Sequence, residues 1–136
     1  MVKTGVDIIE IDRMRVALLR TPSLELRLFT RAELDYCYLR RNPYGPLAAR
    51  FCAKEATMKA LGKGMAGSRF KEIEVGRLES GQPVLWLSGS ASALAKTLGV
   101  RNMSVSLSHS HSHAIAVATL DFSDDQEPDS GSRWRG

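Results

Sequence analysis

Long apolar runs are missing from this chain. Nowhere do its 136 residues supply the ~18–20 consecutive apolar side chains needed to cross a membrane, so no membrane partner is expected. The opening residues, Met1-Val2-Lys3-Thr4-Gly5, hold neither the apolar core nor the cleavage motif of a signal peptide. Cysteine is scarce. Cys37 and Cys52 are the only two, far apart and outside any C-x-x-C pair, which argues against a disulfide framework and a structural zinc site. Both are expected as core or helix-face residues, and the location as reducing and cytoplasmic. Aromatics amount to 7%, with no regular interleaving of aromatic and basic positions along the longest helical segment. That weakens the reading of a basic nucleic-acid-binding module, which would need stacking platforms or a regular basic stripe.

What is present is positive charge, unevenly placed. From Asp121 onward five acids face two arginines, a charge of −3, while 17 bases face 10 acids in the remaining body, a charge of +7. A basic body suits either a solvated surface or an anionic partner such as nucleic acid, a phosphorylated small molecule or an acidic protein. Beyond Phe122 the composition is acidic and polar, so residues 123–136 are expected as a disordered tail behind a domain at 1–122.

The hydrophobic pattern predicts a mixed fold. Val2 to Ile11 reads as a strand, with Asp7 inside its apolar run. Asp12 is the expected cap of a helix reaching Arg20, before Pro22. Thr30 and Glu33 form a capping box for a second helix that ends before Asn42-Pro43. Leu47 to Leu61 is the strongest helix, without internal Gly or Pro, and Gly62 closes it. Lys71 to Leu78 and Val84 to Leu87 read as a hairpin around Ser80-Gly81-Gln82-Pro83. Ser88 to Leu98 reads as a helix stopped by Gly99, and Met103 to Leu107 and Ala114 to Leu120 as two more strands. The expected class is α+β, with a mainly antiparallel sheet packed on a long helix.

Four groups of residues could carry chemistry. Asp7 within an apolar strand needs a cation, a donor or an exit to solvent. Arg50 and Lys54, four apart on the long helix, repel each other unless an anion lies between them. Lys54 also falls on the apolar face, where it either snorkels outward or meets a buried anion. Lys63 follows in a glycine loop whose amides could approach phosphate. Glu55 and Lys59 are either an ordinary helix-stabilising pair or a carboxylate and an ammonium serving a metal and a leaving group. His109, His111 and His113 would lie on one face if extended, as in a transition-metal site; the interspersed serines equally suit a turn.

Gly5-Val6-Asp7-Ile8-Ile9-Glu10-Ile11 followed by Arg13, the Phe29-Thr30-Arg31-Ala32-Glu33-Leu34 helix start, Arg50-Phe51-Cys52-Ala53-Lys54-Glu55-Ala56 with Lys59-Ala60-Leu61-Gly62, and Ser106-Leu107-Ser108-His109 occur in this order. Together they resemble the holo-acyl-carrier-protein synthase family, the short bacterial 4′-phosphopantetheinyl transferases, over Gly5 to Leu120. The resemblance implies that family's fold and reaction, in which 4′-phosphopantetheine passes from coenzyme A to a serine of apo-acyl carrier protein and adenosine 3′,5′-bisphosphate leaves. It implies Asp7 and Glu55 as Mg²⁺ ligands, a hard-oxygen set completed by pyrophosphate and waters. Glu55 would help remove the serine proton, directly or through a metal-bound water, and Lys59 would serve the leaving phosphate. Arg50, Lys54, Gly62, Lys63, Gly64 and His109 match positions near the coenzyme A phosphates and adenine. Arg13 and Arg20 match the helix that meets the acidic carrier protein. A homotrimer with active sites between subunits is implied as well. The chain departs from the family pattern at Lys63, where a small hydroxyl residue is common, at His111 and His113, and at Cys52, where alanine is usual.

Overall fold

A computed structural model describes residues 1–62 and 69–124. The segment holding Lys63 and Gly64, and the tail from residue 125 on, lie outside them. The elements are β1 (Val2–Glu10), α1 (Ile11–Arg20), α2 (Leu24–Leu28), α3 (Arg31–Tyr38), α4 (Tyr44–Leu61), a 3-10 turn (Phe70–Glu72), β2 (Ile73–Arg77), β3 (Pro83–Leu87), α5 (Gly89–Leu98), β4 (Val100–His109) and β5 (His113–Phe122). Two antiparallel sheets form, one in the order β1-β5-β4, the other the β2-β3 hairpin. The expected α+β class is borne out.

Helix α4 is the centre of the molecule: 13 of its 18 residues are buried. It lies across β1 and β5, and small residues let it come close. Ala114, Ala116 and Ala118 of β5 are fully covered, and a Cβ at Gly5 of β1 would stand 1.9 Å from the Ala56 carbonyl oxygen. Any side chain at Gly5 must therefore push helix and strand apart. Leu47 and Met58 of α4 are buried in the main core, each contributing about 1.5–3 kcal/mol by leaving water.

Local signals explain most boundaries. The capping box forms as expected: Thr30 Oγ1 accepts from Glu33 N at 3.3 Å, and Thr30 N donates to Glu33 Oε1 at 2.9 Å. Gly62 ends α4 at φ 80° and Gly99 ends α5 at φ 81°, left-handed conformations that favour glycine. Two helix starts and one short helix differ from expectation. Helix α1 begins at Ile11, so Asp12 sits in its first turn and pairs with Arg15 at 2.7 Å instead of capping. Helix α4 starts at Tyr44, because Pro46 in a first turn gives up no helical hydrogen bond. The five-residue α2 is too short to show a period in sequence.

The sheet face away from α4 carries Val6 and Ile8 of β1, 51% and 62% exposed, opposite Val117 and Ile115 of β5. In the single chain this apolar sheet face is left without cover.

Candidate active site

Asp7 alternates inward on β1 with Gly5 and Ile9 and reaches the end of α4. Lys59 Nζ donates to Asp7 Oδ1 at 3.2 Å and to the Val6 carbonyl at 3.0 Å. Glu55, one turn before Lys59, faces the same carboxylate. Burial, and then the negative charge of Asp7, raise the Glu55 carboxyl above its ordinary range, while Lys59 opposes the shift. Cys52 lies beneath this cluster with no exposed surface. Its thiol contacts the Ala114 carbonyl at 3.6 Å, and burial, reinforced by Asp7, pushes it up to about 12. It is a protonated core residue there, as is Cys37, pushed up to about 11. Two carboxylates held close enough to disfavour the charged form of Glu55, with an ammonium alongside, fit a hard divalent cation that keeps its remaining positions for water and substrate oxygens.

A second centre lies on the other side of α4. A cavity of about 530 Å³ is bordered by Tyr36, Arg40, Arg50, Arg77, Ser108 and His109, with no carboxylate in its lining. Arg50 is 7% exposed. One of its amines reaches the Pro46 carbonyl at 3.3 Å, and its buried Nε has no partner. His109 packs on the start of α4, where a Cβ at Gly45 would stand 3.0 Å from its ring. Concentrated positive charge without an internal counterion makes this an anion site. Arg50 and His109, expected beside phosphates, are thus brought together. Tyr36, Arg40 and Arg77 join them unannounced. Tyr36 and Arg40 are four apart, a spacing that could have flagged them, but Arg77 comes from a distant strand.

Two expectations are corrected by the structure. Lys54 is not at the anion site: its side chain is fully buried, and its three N–H groups are spent on Glu33 Oε1 at 2.7 Å, the Phe70 carbonyl at 2.9 Å and the Ile73 carbonyl at 2.7 Å. The anion it meets is Glu33. Desolvation lowers its proton affinity, and Glu33 counteracts this. Gly62 uses its amide as the helix stop, donating to Met58 and Lys59 carbonyls, so that N–H is not free for phosphate. Of the two readings left open for the three histidines, one shared face or a turn, the structure has the turn. A turn separates β4 from β5, leaving His109 in the anion cavity and His111 and His113 in another, beside Glu10 and Asp12. Among the described residues no three His, Cys, Asp or Glu side chains are placed to hold a metal.

The two centres are separated within one chain. Arg50 and Glu55 differ by about 140° around α4 and about 7.5 Å along it. Asp7 and His109 stand on the two edge strands of the sheet, about 10 Å apart across β5. On α1, Arg13, Val16, Leu19 and Arg20 are all exposed, giving a basic and apolar strip. Among the described residues no helix is long and apolar enough to cross a membrane.

Residues 3–118 match the 4′-phosphopantetheinyl transferase superfamily. The chain is 46% identical over 105 residues to a holo-[acyl-carrier-protein] synthase of Moorella thermoacetica, covering 77% of this chain and 82% of that one. Its fold is similar to the coenzyme A complex of the Chronobacterium ammoniagenes enzyme, with TM-score 0.80 and 28% identity over 90% of this chain and 98% of the other. It is similar too to a Bacillus anthracis holo-(acyl-carrier-protein) synthase with CoA (3′,5′-ADP), with TM-score 0.73 and 30% identity over 89% and 96%. Nothing in these similarities favours a nucleic-acid-binding module.

Proposed function

Since this chain belongs to the holo-[acyl-carrier-protein] synthase family of the 4′-phosphopantetheinyl transferase superfamily, we propose that it performs the family's reaction in a site divided between two copies of itself. The protein transfers 4′-phosphopantetheine from coenzyme A to a serine of apo-acyl carrier protein, releasing adenosine 3′,5′-bisphosphate. The observation that carries the divided site is the separation of the acidic centre from the arginine cavity on opposite sides of α4. Coenzyme A offers two kinds of anion. Its pyrophosphate needs a shared cation beside carboxylates; its ribose phosphomonoester, close to a dianion at neutral pH, matches a cavity whose lining holds three arginines and no carboxylate.

Asp7 and Glu55 would hold Mg²⁺, which when bound supplies neutralisation of charge on the pyrophosphate oxygens. Glu55 accepts the serine proton, and its raised proton affinity suits that task. Lys59, already within reach of Asp7, places its ammonium beside the departing phosphate. Arg50 and His109 of the neighbouring copy anchor the nucleotide end. Lys63 and Gly64, outside the described residues, follow directly on α4 and would approach the pyrophosphate. Arg13 and Arg20, with Val16 and Leu19 between them, offer the acidic carrier protein a basic strip with an apolar centre. The exposed apolar face around Val6, Ile8 and Ile115 supports association of copies, and a contact of two different surfaces repeated by rotation closes into a ring, here a homotrimer. The acidic tail is read as dispensable for transfer.

Mass spectrometry of apo-carrier protein incubated with enzyme and coenzyme A tests the reading. With Mg²⁺ the carrier gains one phosphopantetheinyl group; with a chelator it gains none. Equal gain under both conditions overturns the metal assignment, and no gain under either overturns the reading as a whole.

A further inference from the structure

Three guanidinium groups crowd one aromatic ring. The carbons of Arg50, Arg40 and Arg77 stand 4.2, 4.7 and 5.0 Å from the centre of the Tyr36 ring. The phenol oxygen accepts from Arg40 Nη2 at 2.6 Å and also from Arg77 Nη1. The arginines come from different places: Arg40 just past α3, Arg50 within α4, Arg77 at the end of β2. None of the three is in an ion pair among the described residues. Like charges gathered without a counterion would swing apart into water when the cavity holds no ligand. The ring offers them the negative face of its quadrupole, and its oxygen spends both lone pairs on two of them.

We propose that Tyr36 is a positioning residue that keeps Arg40, Arg50 and Arg77 assembled before substrate arrives, and that it thereby sets the preference for a substrate carrying a terminal phosphomonoester. This rests on the reading of the cavity as the anchor for the nucleotide end of coenzyme A. Tyr36 touches no reacting atom in that reading; it acts through the arginines. Its effect falls on recognition of the ribose phosphate and leaves the phosphoryl-transfer chemistry alone.

The test compares coenzyme A with 3′-dephospho-coenzyme A, which differ only by that phosphomonoester. Calorimetric binding is measured on wild type and on Tyr36→Phe, which keeps the ring and loses the oxygen. Loss of hydrogen bonds to charged groups predicts that Tyr36→Phe binds coenzyme A about 10- to 100-fold more weakly. Binding of the dephospho form stays nearly unchanged, so the preference between the two collapses. In turnover the same variant raises KM for coenzyme A and leaves kcat close to wild type. An undiminished preference in Tyr36→Phe overturns the proposal. Equal weakening of both ligands together with a lowered melting temperature also overturns it, because Tyr36 would then be a packing residue. A wild type that binds the two ligands equally instead overturns the assignment of the cavity beneath it.

Discussion

Glu55→Gln should leave a folded protein that transfers phosphopantetheine about 10²–10⁴-fold more slowly than wild type. Glutamine keeps the shape of the side chain and removes both the charge for a cation and the acceptor for the serine proton. The substitution has a second expected result, independent of turnover. Burial and Asp7 raise the Glu55 carboxyl above the ordinary value of 4.5, so the folded chain retains a proton that the unfolded chain releases. In metal-free protein, stability attributable to Glu55 falls as pH rises from that ordinary value toward the raised one, and levels off above it. Glu55→Gln removes this decline. Denaturation curves across the acid-to-neutral range check it: parallel pH profiles for the two proteins would show that Glu55 feels no such cluster.

Which parts of this arrangement could be read without coordinates follows from how local each signal is. The capping box at Thr30 and Glu33 is written within four residues, and it forms. The glycine stops at Gly62 and Gly99 need only one residue each, and both hold. Asp7 was marked by its charge within an apolar strand, Glu55 and Lys59 by their spacing of four and by the resemblance, and the structure brings the three together. Lys54 on its apolar face was expected to snorkel outward or to meet a buried anion, and it meets Glu33, which lies 21 residues away on another helix; nothing near Lys54 in sequence announces that partner or sets aside the phosphate position that the resemblance implied. The histidines were open between one shared face and a turn, and the structure resolves this. Alternation places residues on one face only while the strand continues, and the turn after His109 ends it. The arginine cavity was half legible: Arg50 and His109 came from the resemblance, whereas Tyr36 with Arg40 and Arg77 depends on the β2-β3 hairpin folding toward α3.

Lys54→Met is expected to destabilise the fold by about 3–5 kcal/mol, the range for leaving one member of a buried ion pair behind. Glu33 would keep a charge in the core, still bound to Thr30 N and Val75 N but with no cation. Three bonds that tie α4 to α3 and to the start of β2 would go with the ammonium. Adding Glu33→Gln removes the stranded charge while retaining an acceptor for the cap, so the double variant should lose less stability than the two single losses added together. Urea denaturation measures all three; strict additivity would mean that the two side chains do not act as a pair. Because Lys54 has no N–H to spare, coenzyme A should stabilise Lys54→Met as much as it stabilises wild type. A smaller stabilisation would return Lys54 to the phosphate site.

The divided site is tested most directly by mixing two inactive proteins. Glu55→Ala keeps the arginine cavity with His109, and His109→Ala keeps the acidic centre. Subunits of the two are exchanged at equal concentration, with exchange verified by energy transfer between labelled chains. If Glu55 of one copy works with His109 of the next, random assortment in a ring restores about a quarter of the sites, and transfer activity returns to about that fraction of wild type. Verified exchange with no return of activity would place Glu55 and His109 in one chain's site and contradict the account.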